Sequence, residues 1–132
     1  MKLKFLVQQF IRKLIKNEEF LVEGDGTETR SFCFIDDAIA GTLLVHDDNS
    51  NGERIFNIGN DAESSILDLI NLLSEVSGKN INPKFKLKEN AGTKRRKPDI
   101  SKAKSVGYIP KIALRDGLKI TYDWYSKFYK NN

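Results

Sequence analysis

Three arginines are the side chains here whose type and setting best suit ligand chemistry. Arg30 follows a Gly24-Asp25-Gly26-Thr27 turn on the approach to an extended segment. Arg95 and Arg96 sit in Lys94-Arg95-Arg96-Lys97-Pro98-Asp99, where the proline stiffens the chain. A guanidinium is a planar fork suited to bidentate phosphate contact, whereas the flanking lysines act as point charges. Spacing alone leaves the Arg95/Arg96 pair open between a solvated surface and a phosphate clamp. Between Lys79 and Lys104 ten basic residues stand against Glu89 and Asp99, an excess twice the +4 of the whole chain. Such a concentration suits an anionic partner or, more plainly, a solvated basic loop. It also matches a nucleic-acid patch superficially. No aromatic residues are interleaved with the Lys94–Asp99 run to stack on bases, which argues against single-strand binding.

Other reaction centres are missing from the pattern. One histidine, His46, and one cysteine, Cys33, do not make a zinc site of three or four ligands, and no metal is expected. His46, beside Asp47-Asp48, reads as a solvated helix end, and Cys33 as a small buried hydrophobe. The pairs Asp36-Asp37 and Asp47-Asp48 project about 100° apart on a helix, so neither forms a facing acid–base couple. There is no G-x-x-x-x-G-K-[ST] loop, and Gly24-Asp25-Gly26 does not continue as G-x-G-x-x-G. No residue is assigned a catalytic role.

The elements that must position the arginines follow from periodicity. Residues 3–17 carry Leu6, Phe10, Ile11 and Leu14 at helical spacing. Residues 20–23 and 29–35 suit strands, with Asp25-Gly26 closing a hairpin or a wider bend. Asp36-Asp37 opens a helix to about residue 45, and 54–59 reads as a strand. Residues 64–77 form the clearest helix, stopped by Gly78. An exposed strand over 83–87, an irregular basic loop over 91–99 and a short helix over 100–105 follow. A bend at Gly107-Tyr108-Ile109-Pro110 leads to a last helix over 114–129. Alternating strands and helices predict an α/β (α+β) fold, a small mixed sheet with surrounding helices. At 132 residues and 39% hydrophobic, one domain over 1–132 with its own core is expected. No run approaches the ~18 apolar residues of a membrane span. The Met1-Lys2-Leu3-Lys4-Phe5 start does not read as a secretion signal, so a cytoplasmic setting without a membrane partner is expected.

Several motifs in order carry a resemblance. Residues 23–37, Glu23-Gly24-Asp25-Gly26-Thr27-Glu28-Thr29-Arg30-Ser31-Phe32-Cys33-Phe34-Ile35-Asp36-Asp37, resemble the YGDG-x-x-TRSF-x-YVDD stretch of extended short-chain dehydrogenase/reductases that act on nucleotide sugars. Phe56-Asn57-Ile58-Gly59-Asn60 and Ser65-Ile66-Leu67-Asp68-Leu69 continue the match. So do Arg96-Lys97-Pro98-Asp99-Ile100-Ser101-Lys102-Ala103-Lys104, Gly107-Tyr108-Ile109-Pro110 and Leu114-Arg115-Asp116-Gly117-Leu118. The resemblance covers the C-terminal, substrate-binding portion of these NAD-dependent epimerases, dehydratases and decarboxylases. The wording leans slightly toward UDP-glucuronate decarboxylase, ahead of dTDP-glucose 4,6-dehydratase and UDP-sugar 4-epimerase.

The resemblance implies a substrate-binding subdomain without its NAD-binding Rossmann half and without the family's Tyr-x-x-x-Lys pair: Tyr108, Tyr122 and Tyr125 are followed four residues on by Ile112, Ser126 and Tyr129. NAD belongs to the parent family and is not expected on this chain alone. The implied ligand is a nucleotide-diphosphate sugar. By resemblance Arg30 and Arg96 contact the diphosphate, Asn57 the nucleotide and Asp99 the ribose end, while Val22 and Glu23 lie on the strand that meets the base. Further implied partners are a separate Rossmann-domain chain, as half of a split or truncated enzyme, and a second copy in a homodimer. The alternative is an autonomous non-catalytic module that binds nucleotide sugars, or nucleic acid through residues 79–104.

Overall fold

The computed structural model describes residues 5–47, 55–87 and 92–130. The expected starts of the first helix, of the 54–59 segment and of the 91–99 loop lie outside these residues, as do Asp48, Lys88 and Glu89.

The main core is made by three helices. α1 (Leu6–Lys16) turns Phe10, Ile11 and Leu14 inward and ends at Asn17, whose left-handed φ of 54° lets its N–H bond to the Lys13 carbonyl. α3 (Ile66–Ser77) buries Ile66, Leu69, Ile70 and Leu73. Ser65 caps it: the Ser65 hydroxyl accepts from the Asp68 N–H at 3.0 Å, and the Asp68 carboxylate accepts from the Ser65 N–H at 2.9 Å. Such reciprocal caps are worth roughly 1 kcal/mol. Gly78, at φ 67°, closes the other end as expected. α5 (Leu114–Lys130) packs across α3 and α1 through Leu118, with Tyr122 and Tyr125 against the same cluster.

The strands are short, and they form two sheets. β1 (Leu21–Glu23) pairs in parallel with β4 (Lys84–Lys86), Val22 opposite Phe85. β2 (Thr29–Ser31) is the centre of the second sheet, antiparallel to β3 (Glu63–Ser65) and parallel to β5 (Arg95–Arg96). The small mixed α/β arrangement is therefore present. β1 and β2 are not paired, so the turn between them is the wider bend. It is held by Asp25, whose carboxylate accepts from the Thr27 N–H at 2.9 Å and hydroxyl at 2.6 Å. Gly26 has φ 80°, and a Cβ there would stand 2.8 Å from Leu67 Cγ.

Several boundaries differ from the periodic reading. Residues 64 and 65, expected to open the helix, pair with β2 as part of β3, and the helix starts at Ile66. The 29–35 strand ends at Ser31, because its ladder partner ends at Glu63 and the Phe34 carbonyl already accepts from the Ala38 N–H of the next helix. Residues 55–59 form no strand. Their main chain is held by side chains instead, with Lys102 Nζ donating to the Ile55 carbonyl and the Tyr108 hydroxyl to that of Gly59. The 91–99 loop contains the two-residue strand β5, which Arg95-Arg96 could form only by finding β2.

A second cluster joins Ile100, Ala103 and Tyr108, with Phe56 and Ile58 against it. Here α4 (Ser101–Ser105) and the bend at Gly107 bring Tyr108 under α2 (Ile35–Asp47). Asp36 and Asp37 occupy the first turn of α2 as expected. Asp37 is buried, however, and accepts from the Ile112 N–H at 2.9 Å, tying the bend to the helix. Cys33 is only half-buried, its Sγ 3.6 Å from the Tyr108 hydroxyl, so it is not the fully buried hydrophobe expected. Burial, followed by the Cys33 contact and the Asp37 charge, raises the Tyr108 hydroxyl well above its ordinary pKa. Among the described residues, no helix is long and apolar enough to cross a membrane.

Candidate functional site

Strand alternation separates the arginines. Thr29 and Ser31 point to one face of β2 and Arg30 to the other, and β5 lies in register with Arg30 opposite Arg96 and Thr29 opposite Arg95. Arg95 therefore shares the Thr29 face, where it makes a bidentate pair with Glu63: Nε to Oε1 at 2.8 Å and Nη2 to Oε2 at 2.6 Å. Thr29 Oγ1 donates to the same carboxylate at 2.9 Å. The Arg95 bonds, then that of Thr29, hold the Glu63 carboxyl down at about 2. Arg95 is a strut. Arg96 emerges on the opposite face beside Arg30 and is exposed.

Arg30 is set rigidly. Its Nη1 donates to the Thr29 carbonyl at 2.7 Å and reaches the Lys94 carbonyl at 3.5 Å. Its Nη2 stands 3.7 Å from the Glu28 carboxylate, with only 21% of the Arg30 side chain and 15% of the Glu28 side chain exposed. These residues open onto a cavity of about 370 Å³ shared with Gln9, Lys13, Val22 and Glu23. Val22 is 3% exposed and part of the core. Glu23 is exposed on β1. The Phe20 carbonyl and Gly24 N–H are bonded to β4, so by the alternation of a parallel ladder the Glu23 main chain faces the open edge of its sheet.

Asn57 and Asp99 are brought together beside α4: Asn57 Nδ2 donates to the Asp99 carbonyl at 3.0 Å. Asn57 thus satisfies main chain at the start of α4. The Asp99 carboxylate accepts from the Ser101 N–H at 2.9 Å, and the Ser101 bonds lower its pKa. The six residues implied by resemblance fall into one cavity group (Val22, Glu23, Arg30), one in-register neighbour (Arg96) and one linked pair (Asn57, Asp99).

Much of the basic run is tied internally. Lys79 donates to the Leu14 carbonyl at 2.6 Å, Lys84 pairs with Glu19, Lys104 pairs with Asp61 at 2.6 Å, and Lys102 lies 4.7 Å over the Phe56 ring. Of the ten basic residues behind the charge count, these four are therefore engaged within the chain. Sequence reasoning passed over Gln9, Lys13 and Glu28. Leu6, Gln9 and Lys13 form one helical row, and Glu28 shares a face with Arg30 two residues on, so both signals were present.

A dinucleotide site does not fit these residues. Among the described residues, the glycine-rich turn 24–27 feeds a strand rather than a helix N-terminus, and Gly26 is closed over by Leu67 and Phe85. What the arrangement can do is hold an anion between guanidinium groups at a sheet edge.

This small mixed α/β structure has known relatives. Residues 3–59 match the NAD dependent epimerase/dehydratase family. The chain is 38% identical over 120 residues to UDP-glucuronic acid decarboxylase 3 of Arabidopsis thaliana, covering 87% of this chain and 33% of that protein. It is 39% identical over 110 residues to GDP-L-fucose synthase 1 of the same plant, covering 83% and 34%. Among solved structures, UDP-glucuronic acid 4-epimerase of Bacillus cereus, in complex with UDP-glucuronic acid and NAD, superposes with a TM-score of 0.87 at 35% identity, over 96% of this chain and 41% of that one. UDP-glucose 4-epimerase of Thermotoga maritima, with UDP-glucose, gives 0.85 at 29%, over 95% and 40%. In sequence and fold the chain is related to the NAD-dependent nucleotide-sugar epimerases, dehydratases and decarboxylases of the extended short-chain dehydrogenase/reductase group. It spans about a third of the curated relatives and about two-fifths of the solved ones.

Proposed function

We propose that this chain is the nucleotide-sugar-binding portion of an NAD-dependent epimerase, dehydratase or decarboxylase. Arg30 and Arg96 hold the diphosphate of a UDP-type sugar, Asn57 and Asp99 meet the nucleotide and ribose, and Val22 and Glu23 meet the base. The hydride and proton chemistry belongs to an NAD-binding part, for which a separate Rossmann-domain chain is the proposed partner. The observation that carries this reading is the register of Arg30 with Arg96, two guanidinium groups on one sheet face, of which Arg30 lines the cavity. The exposed apolar row of α2 supports a polypeptide partner, since such rows seldom stay bare.

Calorimetric titration with UDP-glucuronate, UDP-glucose and a dTDP-sugar tests it. Arg30→Ala and Arg96→Ala should each weaken binding by about tenfold or more, while Arg95→Ala stays within about twofold. Unchanged affinity in both of the first two variants removes the diphosphate assignment. Salt-sensitive DNA binding without nucleotide-sugar binding would favour the basic-patch alternative.

A further inference from the structure

We propose that Glu28 is the built-in counter-ion of the Arg30 site, a carboxylate that an incoming diphosphate must displace and that therefore sets how tightly the ligand is held. The inference rests on the nucleotide-sugar reading of the same cavity.

Geometry makes Glu28 a competitor rather than a clamp. The Arg30 guanidinium is oriented through Nη1, which donates to the Thr29 carbonyl at 2.7 Å. Glu28 stands at the other nitrogen, 3.7 Å away, too far to fix its direction but close enough to neutralise its charge. Both side chains are largely withdrawn from water, so their mutual charge counts for more than that of a surface pair. The Glu28 main chain cannot retreat: its carbonyl accepts from the Ile66 N–H at 3.0 Å, and the next residue's N–H bonds to the Lys94 carbonyl at 2.9 Å. A phosphate approaching Nη2 therefore meets a carboxylate carried on a fixed main chain, whose side chain must swing aside to yield, and like charges at that range repel. Among the described residues that line the cavity, Lys13 and Arg30 face Glu23 and Glu28, so neutralising Glu28 shifts the balance of that lining toward positive charge.

The test is a calorimetric titration of UDP and of uridine into the wild-type chain and Glu28→Gln at low and high salt, with melting curves confirming that both fold. UDP should bind Glu28→Gln about tenfold more tightly at low salt, with the advantage shrinking as salt screens the charges. Uridine, which brings no charge to Arg30, should bind both alike. Equal or weaker UDP binding by Glu28→Gln, with the wild type binding normally, overturns the counter-ion role and makes Glu28 a positioning residue. If two well-folded proteins both ignore UDP, the nucleotide reading of the cavity fails and this inference falls with it.

Discussion

Two helices of similar length treat their apolar residues in opposite ways. α3 buries Ile66, Leu69, Ile70 and Leu73 and turns Asp68 and Glu75 to solvent. α2 buries only Asp37 and Gly41 and exposes Ile35, Ile39 and Leu43, one helical row at four-residue spacing. The first helix uses its apolar face to make this chain's core. The second is held to the fold by a carboxylate, a glycine contact and the Tyr108 ring, and it keeps its apolar row for a surface that the described residues do not provide. The cavity beside Arg30 is lined from α1, β1 and the start of α3 and takes no residue from the uncovered row. A ligand and a polypeptide partner would therefore be held by separate parts of the molecule.

The sharpest way to break this contrast is to delete core volume. Leu73 is fully buried, so Leu73→Ala should cost about 2–5 kcal/mol, read as a lower denaturant midpoint. A loss below about 1 kcal/mol would mean that α3 is not the organising helix. Next comes the glycine contact that helps to fasten α2. A Cβ on Gly41 would stand 2.6 Å from the Tyr108 ring and 2.8 Å from Ile58, so Gly41→Ala should destabilise by about 1–3 kcal/mol despite alanine's better helix propensity. An unchanged or raised melting temperature would show that α2 is not seated there.

A smaller effect concerns the ion pair at the foot of α3. The Glu63 carboxyl titrates at about 2 in the folded chain against an ordinary 4.5. Its contribution is therefore complete above pH 4.5 and is lost as pH falls toward about 2. Between those values the melting temperature of Glu63→Gln should fall less steeply than that of the wild type; parallel curves would contradict the pairing with Arg95. The smallest stability effect is expected on the exposed row. Ile39→Ser with Leu43→Ser should change stability by no more than about 0.5 kcal/mol, while clearly reducing the fluorescence of an apolar dye. A loss as large as that of Leu73→Ala would mean that the row is already covered, by a second copy or by part of this chain.

The sequence by itself determined the helices, their stops and the family relation. Helical periodicity, the Ser65/Asp68 cap and the Gly78 terminator act over four residues or fewer, so they are legible locally. The motif string likewise needed no coordinates to single out Val22, Glu23, Arg30, Asn57, Arg96 and Asp99 as candidates for the proposed site. Only the tertiary structure decided which arginine of the Arg95-Arg96 pair is a strut, because the choice of face belongs to a register between β2 and β5 across some 65 residues. It also decided that residues 55–59 are pinned by side chains rather than laddered, and that Asp37 serves the Ile112 amide rather than its own helix. These outcomes depend on which distant backbone groups come to lie opposite one another, and residue type and local spacing do not encode that.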